Sequence, residues 1–169
     1  MPPPPRAAAP LGISYRPADD ADLPFLSQVY ASTRVEELAP TGWPDGVKQQ
    51  FLEHQFGAQH RHYRQQYPAA EWLIILWSGE AIGRFYLEEW PDQFRIIDIA
   101  LLPHARGQGV GTAILADMVA AARKAGKSVS IHVEKNNPAM RLYQRLGFVQ
   151  TDEHGIYDLM VWNGRAEPA

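Results

Sequence analysis

Seven consecutive residues, Arg106-Gly107-Gln108-Gly109-Val110-Gly111-Thr112, carry the clearest chemistry in the sequence. Glycines at 107, 109 and 111 let the backbone take positive φ and let a ligand approach it closely. An apolar run over 94–102 leads into this turn and a helical pattern follows it. Free N–H groups therefore gather at the positive end of a helix, where phosphate or pyrophosphate binds without a dedicated cation. The dipole alone contributes only about 0.3–1 kcal/mol, so affinity requires several N–H bonds together, and Arg106 could supply a charge-assisted one. Counted from Gly107 the pattern is G-x-G-x-G, which is not the dinucleotide fingerprint, and no Gly-Lys-Ser/Thr follows to make a P-loop. Taken alone, such a turn also reads as a tight connection with no ligand.

A second segment, Asn136-Asn137-Pro138-Ala139-Met140-Arg141-Leu142-Tyr143-Gln144-Arg145-Leu146-Gly147-Phe148, reads as a capped short helix. Asn136 or Asn137 supplies the cap, Pro138 fits the first helical position, and Gly147 ends the helix. No metal is expected. His54, His60 and His62 form no H-E-x-x-H pattern, and His60 and His62 point to different helix faces. The chain has no cysteine, which removes disulfides, thiolate nucleophiles and cysteine-ligated zinc.

The elements that must position these residues follow from periodicity and turn residues. A short strand over 12–16 precedes a helix capped by an aspartate and carrying Leu23, Leu26, Val29 and Tyr30. Pro40, Gly42 and Pro44 mark a loop, and a second helix runs from about Pro44 to before Pro68 with Val47, Phe51 and Ala58 on one side. Strands over 71–77 and 81–87 form a hairpin about Ser78-Gly79. The strand over 94–102 is apolar on both faces and so central in the sheet. A helix over 109–125 places Val110, Ile114 and Met118 on one stripe. A strand over 128–133, the helix over 138–146 and two strands about His154-Gly155 complete a single mixed α/β (α+β) domain over 11–164.

Composition sets the outer limits. With 169 residues, 46% hydrophobic and 21% charged, the chain can bury a full core. Its net charge of −3 gives no global field for nucleic acid or anionic lipid. No apolar run approaches the roughly 18–20 residues that span a membrane. The first ten residues lack the apolar stretch of a secretory signal and read as a flexible proline-rich tail. A cytoplasmic protein with no nucleic-acid or membrane partner is the expectation.

Together the two segments resemble the Gcn5-related N-acetyltransferase (GNAT) superfamily. Arg106, Gly109 and Gly111 fill R/Q-x-x-G-x-G/A, preceded by the usual strand and proline (ALLPHARGQGVG). Asn136, Ala139, Leu142, Tyr143, Gly147 and Phe148 fill N-x-x-A-x-x-L-Y-x-x-x-G-F about 25 residues later. The resemblance is strong over about 94–150 and implies a mostly antiparallel sheet of about seven strands, about four helices, and central strands that splay at the cofactor site. It implies acetyl-CoA as co-substrate. Backbone groups of Ala100, Leu101 and Leu102 would pair with the pantetheine arm, N–H groups of Gly107, Gln108, Gly109, Val110, Gly111 and Thr112 would hold the pyrophosphate, and Arg106 would add a charge-assisted bond. Asn136 would touch the cofactor arm.

Tyr143 would stand at the thioester sulfur as general acid. A thiolate leaving group with a conjugate acid near pKa 8.5 is well served by a phenol near pKa 10; without the motif Tyr143 would read as core. Relatives often carry an acidic residue near the central strand to take the ammonium proton, and the candidates are Asp98, Glu88 and Glu89. The acceptor, a small-molecule or peptide amine, would meet the first two helices, which carry Arg34, Glu36, Glu37, Trp43, Asp45, His60, His62 and Tyr63. A homodimer is compatible with the resemblance. The other functional class left open is an acyl-CoA-binding regulatory module without catalysis.

Overall fold

The computed structural model describes residues 6–164 as a seven-stranded sheet clad by five α-helices. The strands are β1 (Ile13–Pro17), β2 (Glu71–Trp77), β3 (Glu80–Glu89), β4 (Gln93–Leu101), β5 (Ser128–Glu134), β6 (Val149–His154) and β7 (Tyr157–Asn163). Their order is β1-β2-β3-β4-β5-β7-β6, with every neighbouring pair antiparallel except β4 and β5. The helices are α1 (Leu23–Ser32), α2 (Val35–Leu38), α3 (Asp45–Gln66), α4 (Val110–Ala125) and α5 (Met140–Arg145).

Strands near the middle of the sheet are apolar on both faces because both faces are covered. On one side Leu73, Ile75, Phe85, Phe94 and Ile96 meet Val110, Ile114 and Met118 of α4. On the other, Ile74 and Tyr86 meet Leu26 and Tyr30 of α1 and Leu52 and Phe56 of α3. The α4 stripe is the one the periodicity predicts, and Gly126, left-handed at φ 69°, closes that helix. For α3 the inward face is different from the expected one. Val47, Phe51 and Ala58 are exposed, while Leu52 and Phe56, one position on, point inward. Apolar residues are sparse on this long helix, so either stripe fits the period, and packing on α1 decides between them.

Three further differences are local. The extra helix α2 is four residues long, too short for periodicity to register. α5 begins at Met140, because Asn137 Oδ1 accepts from the Ala139 N–H at 2.9 Å and holds Pro138-Ala139 as a turn. In the described part of the expected tail, residues 6–10, Ala8 is fully buried and the Ala7 and Ala8 amides donate to Asp117 of α4 at 2.7 and 3.1 Å, while the other four residues are exposed. Residues 1–5 lie outside the described residues.

Gly83 fixes the approach of β3 to β4 next to the glycine turn. A Cβ there would sit 2.2 Å from the Ala100 carbonyl oxygen and 3.0 Å from Leu101 Cδ2. Gly83→Ala must push the two strands apart, and is expected to cost about 1–3 kcal/mol, lowering Tm by about 2–4 °C per kcal/mol. An unchanged melting curve would show that the strands yield without cost.

Candidate functional site

β4 and β5 run together only from Gln93 to Ile96, paired with Ser128 to Ile131. Beyond Ile96 a bulge at Ile97 turns β4 away, since Tyr86 opposes Asp98 while Leu87 opposes Ile96. The sheet therefore opens between Ile97–Leu101 and His132–Glu134, as the resemblance implies. The opening leads to the glycine turn at one end.

Gly107 and Gly109 both adopt positive φ, at 73° and 83°, and Gly109 is the residue before the first turn of α4. Arg106 N donates to Pro103 O, and the next backbone donor along the chain is Ala113 N, to Gly109 O at 3.0 Å. Among the described residues, no acceptor takes any of the six amides from 107 to 112. The space about Gly107, Gly109 and Gly111 is open to at least 4 Å where a Cβ would stand. Six donors without an acceptor among the described residues, at the head of a 16-residue helix, are an arrangement that can take an anion.

The side chains of the turn brace it. Arg106 Nε donates to Leu101 O at 2.9 Å, and its Nη2 reaches Ser32 Oγ at 3.2 Å on the last residue of α1. Gln108 Nε2 donates to His104 O at 2.8 Å. Arg106 thus ties the turn to β4 and α1, a role that sequence reasoning did not foresee for it.

Along β4 the backbone alternates between neighbours. Leu102 N donates to Ile82 O at 2.8 Å and Leu102 O accepts from Ala105 N, while the Ala100 carbonyl points at Gly83. Leu102 and the Ala100 carbonyl are therefore engaged with protein. The backbone groups of Ile99 and Leu101 turn toward the opening instead, and the Leu101 carbonyl is the one Arg106 holds. Of the three residues expected to face a pantetheine arm, Leu101 is the one so placed, with Ile99 beside it.

Tyr143 of α5 is 4% exposed, packs edge-on against Phe148 at 5.5 Å, and lies within reach of the charge of Asp98 on β4. Its hydroxyl has no hydrogen-bond partner among the described residues. Burial, with the negative charge of Asp98 behind it, pushes the phenol well above its ordinary pKa. The hydroxyl therefore stays protonated over the whole physiological range. Asn136 lies exposed in the turn after β5.

Asp98 of β4 has its side chain 25% exposed and in ion-pair contact with Arg84 Nη2. Around the pair lie Tyr63 and Tyr86, each with its phenol raised first by burial and also by the Asp98 charge. Arg34 lies on the same flank, over the ring of Tyr30 at 5.4 Å and bonded to Glu134 at 2.9 Å. Glu88 bonds the Trp90 indole at 3.0 Å and Glu89 bonds Lys127, so both are tied up at the far end of β3. A cleft of about 840 Å³ lies between α1 and α3, lined by Leu23, Val35, Leu52 and Phe56 among others; neither Tyr143 nor Asp98 lines it. Among the described residues no group of three potential ligands could hold a metal, and no helix is long and apolar enough to cross a membrane.

Sequence reasoning missed Arg84 and Gly83. Each had a signal: an arginine inside the apolar run AIGRFYL must find a partner once buried, and a glycine inside a strand marks close backbone approach.

Residues 33–148 match the acetyltransferase (GNAT) family. The chain belongs to this family. Its sequence is 28% identical over 139 residues to the mycothiol acetyltransferase of Corynebacterium glutamicum strain R, covering 76% of this chain and 48% of that protein. The chain thus spans about half the length of the curated relatives it matches. Its fold is similar to that of the PaiA N-acetyltransferase from Thermoplasma acidophilum in complex with coenzyme A, with a TM-score of 0.66 at 16% identity, covering 89% of this chain and 98% of that one. It is also similar to a GNAT family acetyltransferase from Elizabethkingia anophelis with acetyl-CoA bound, with a TM-score of 0.55 at 19% identity, covering 90% and 98%. At these identities the structures establish the fold. The mixed α/β architecture with its mostly antiparallel sheet is the GNAT fold.

Proposed function

We propose that this GNAT protein transfers an acetyl group from acetyl-CoA to a primary amine by direct attack within a ternary complex. The observation that carries the reading is the row of six amides at 107–112 that no acceptor takes among the described residues, set between the end of β4 and α4. They would take the diphosphate of acetyl-CoA, and the outward backbone of Ile99 and Leu101 would pair with the pantetheine arm, leaving the thioester beside Tyr143. Family membership supports acetyl-CoA as donor, and two of the structurally similar proteins hold coenzyme A or acetyl-CoA.

The amine nitrogen forms a bond to the thioester carbon, the C–S bond breaks, the thiolate takes a proton from the Tyr143 hydroxyl, and the proton shed by the newly acylated nitrogen passes through water to restore the phenol. Before attack the ammonium must lose a proton. A direct transfer to a carboxylate is uphill by about six pKa units on reference values, so Asp98 serves better to hold the ammonium while water carries the proton away. With no cysteine in the chain, an acyl-thioenzyme is not available.

The test is calorimetry with acetyl-CoA followed by thiol release across a panel of small amines, peptide N-termini and the acceptor of mycothiol acetyltransferases. Binding with turnover on at least one amine is expected. The engagement of Asp98 by Arg84 favours a second reading, a non-catalytic acyl-CoA-binding module; tight binding with no turnover on any amine would establish that reading instead.

A further inference from the structure

β3 carries a cation where its neighbours are apolar. Arg84 is 2% exposed, on the face shared with Tyr86 and covered by α1 and α3. Its Nη2 contacts Asp98 Oδ2 and also donates to Gln59 Oε1 of α3 at 2.9 Å. The guanidinium lies over the Tyr86 ring at 5.1 Å and the Tyr30 ring at 5.8 Å. Even so, Nε and Nη1 have no hydrogen-bond partner among the described residues.

An apolar side chain would pack on the same two rings without the cost of desolvating a charge. Packing alone therefore does not explain the arginine. Arg84 and Asp98 are diagonal neighbours on one face of the paired strands, because Arg84 opposes Ala100 and Tyr86 opposes Asp98. The bulge at Ile97 sets Asp98 where β4 parts from β5. Asp98 Oδ2 is buried against Arg84, whereas Oδ1 makes no hydrogen bond among the described residues and is left for a ligand. The charge of Asp98 is also felt at Tyr143.

We propose that Arg84 is a positioning residue for acetyl transfer: it holds one oxygen of Asp98 so that the other receives the acceptor ammonium beside Tyr143. The inference rests on the acetyl-transfer reading above. Arg84 itself touches neither substrate. It restrains the carboxylate from one side while Gln59 and the two tyrosine rings restrain the guanidinium from the other. The site so formed takes a single primary ammonium close to the thioester.

The test uses the best amine found for the wild-type protein and compares R84M, R84K, D98N and the double variant R84M/D98N. R84M is expected to raise KM for the amine at least tenfold while the Kd for acetyl-CoA, by calorimetry, stays within twofold. R84K recovers most of that loss, since it restores a cation to Asp98. The double variant is no worse than D98N alone, because the two residues act as a unit. Should R84M fail to fold, R84Q loses the charge while keeping polar reach to Gln59 and carries the same expectations. An amine KM unchanged in the folded R84M or R84Q, or losses that multiply in the double variant, would overturn the positioning role while leaving acetyl transfer intact. A wild-type protein that binds acetyl-CoA yet acetylates no amine would overturn both.

Discussion

Replacing Tyr143 with phenylalanine is expected to lower kcat by about 10²–10⁴-fold, the usual contribution of a positioned general acid, with the Kd for acetyl-CoA within about twofold of wild type. The substitution removes one oxygen atom and leaves the ring, which packs on Phe148, in place. Because the hydroxyl has no hydrogen-bond partner among the described residues, its loss orphans no other group. Stability should therefore hold, and thermal melting checks it. The phenol is pushed above its ordinary value by burial and by the charge of Asp98, so it is protonated at neutral pH and remains so past about pH 10. Wild-type kcat should accordingly show no loss on the alkaline side attributable to Tyr143 below that pH. A Y143F protein with wild-type kcat would remove the acid role and return Tyr143 to the core.

The second large effect is expected at Gly111. Its position is open, with nothing within 4 Å of a notional Cβ, so a side chain there meets no protein. Gly111→Glu places a carboxylate in the first turn of α4, among the amides proposed to hold the diphosphate. The helix itself should gain. Leaving glycine contributes about 0.5–1 kcal/mol, and an acidic side chain near the N-terminus a further 0.3–1 kcal/mol or so. Binding should lose much more, because a fixed negative charge takes the place of an incoming anion. A Kd for acetyl-CoA raised at least a hundredfold, about 2.7 kcal/mol, with Tm unchanged or higher, is the expected pair of results. Stability and affinity moving in opposite directions separates site blockade from misfolding. Unimpaired binding in G111E would place the cofactor elsewhere.

Much of this was legible in the sequence because the residues concerned act through backbone geometry. The glycines at 107 and 109 are needed for the φ values they adopt, and α5 lies within two residues of its expected bounds, although Asn137 holds a turn ahead of the helix rather than capping it. The central place of β4 followed from its apolar character on both faces. What was not legible depends on which of several compatible contacts wins in three dimensions. Val47 and Leu52 begin equally good stripes on α3, and only packing against α1 selects the second. Arg106 resembles a phosphate ligand by type and position, yet its nearest acceptors are Leu101 O and Ser32 Oγ, the latter 74 residues away in sequence. Asp98 was visible as a candidate, but the side chain that determines what it can do, Arg84, lies on the neighbouring strand and comes into range only through the β3–β4 register. Ala8, expected in a tail, is buried because Asp117 on α4 captures its amide.

The amides between β4 and α4 are proposed to bind the diphosphate of acetyl-CoA. A crystal structure of the protein with acetyl-CoA tests this most directly. Diphosphate oxygens within hydrogen-bond distance of several nitrogens of residues 107–112, and the thioester sulfur facing Tyr143 Oη across the β4–β5 opening, are the predicted result. A folded protein crystallised at saturating acetyl-CoA with those amides bare, or with the diphosphate seated anywhere else, would contradict it.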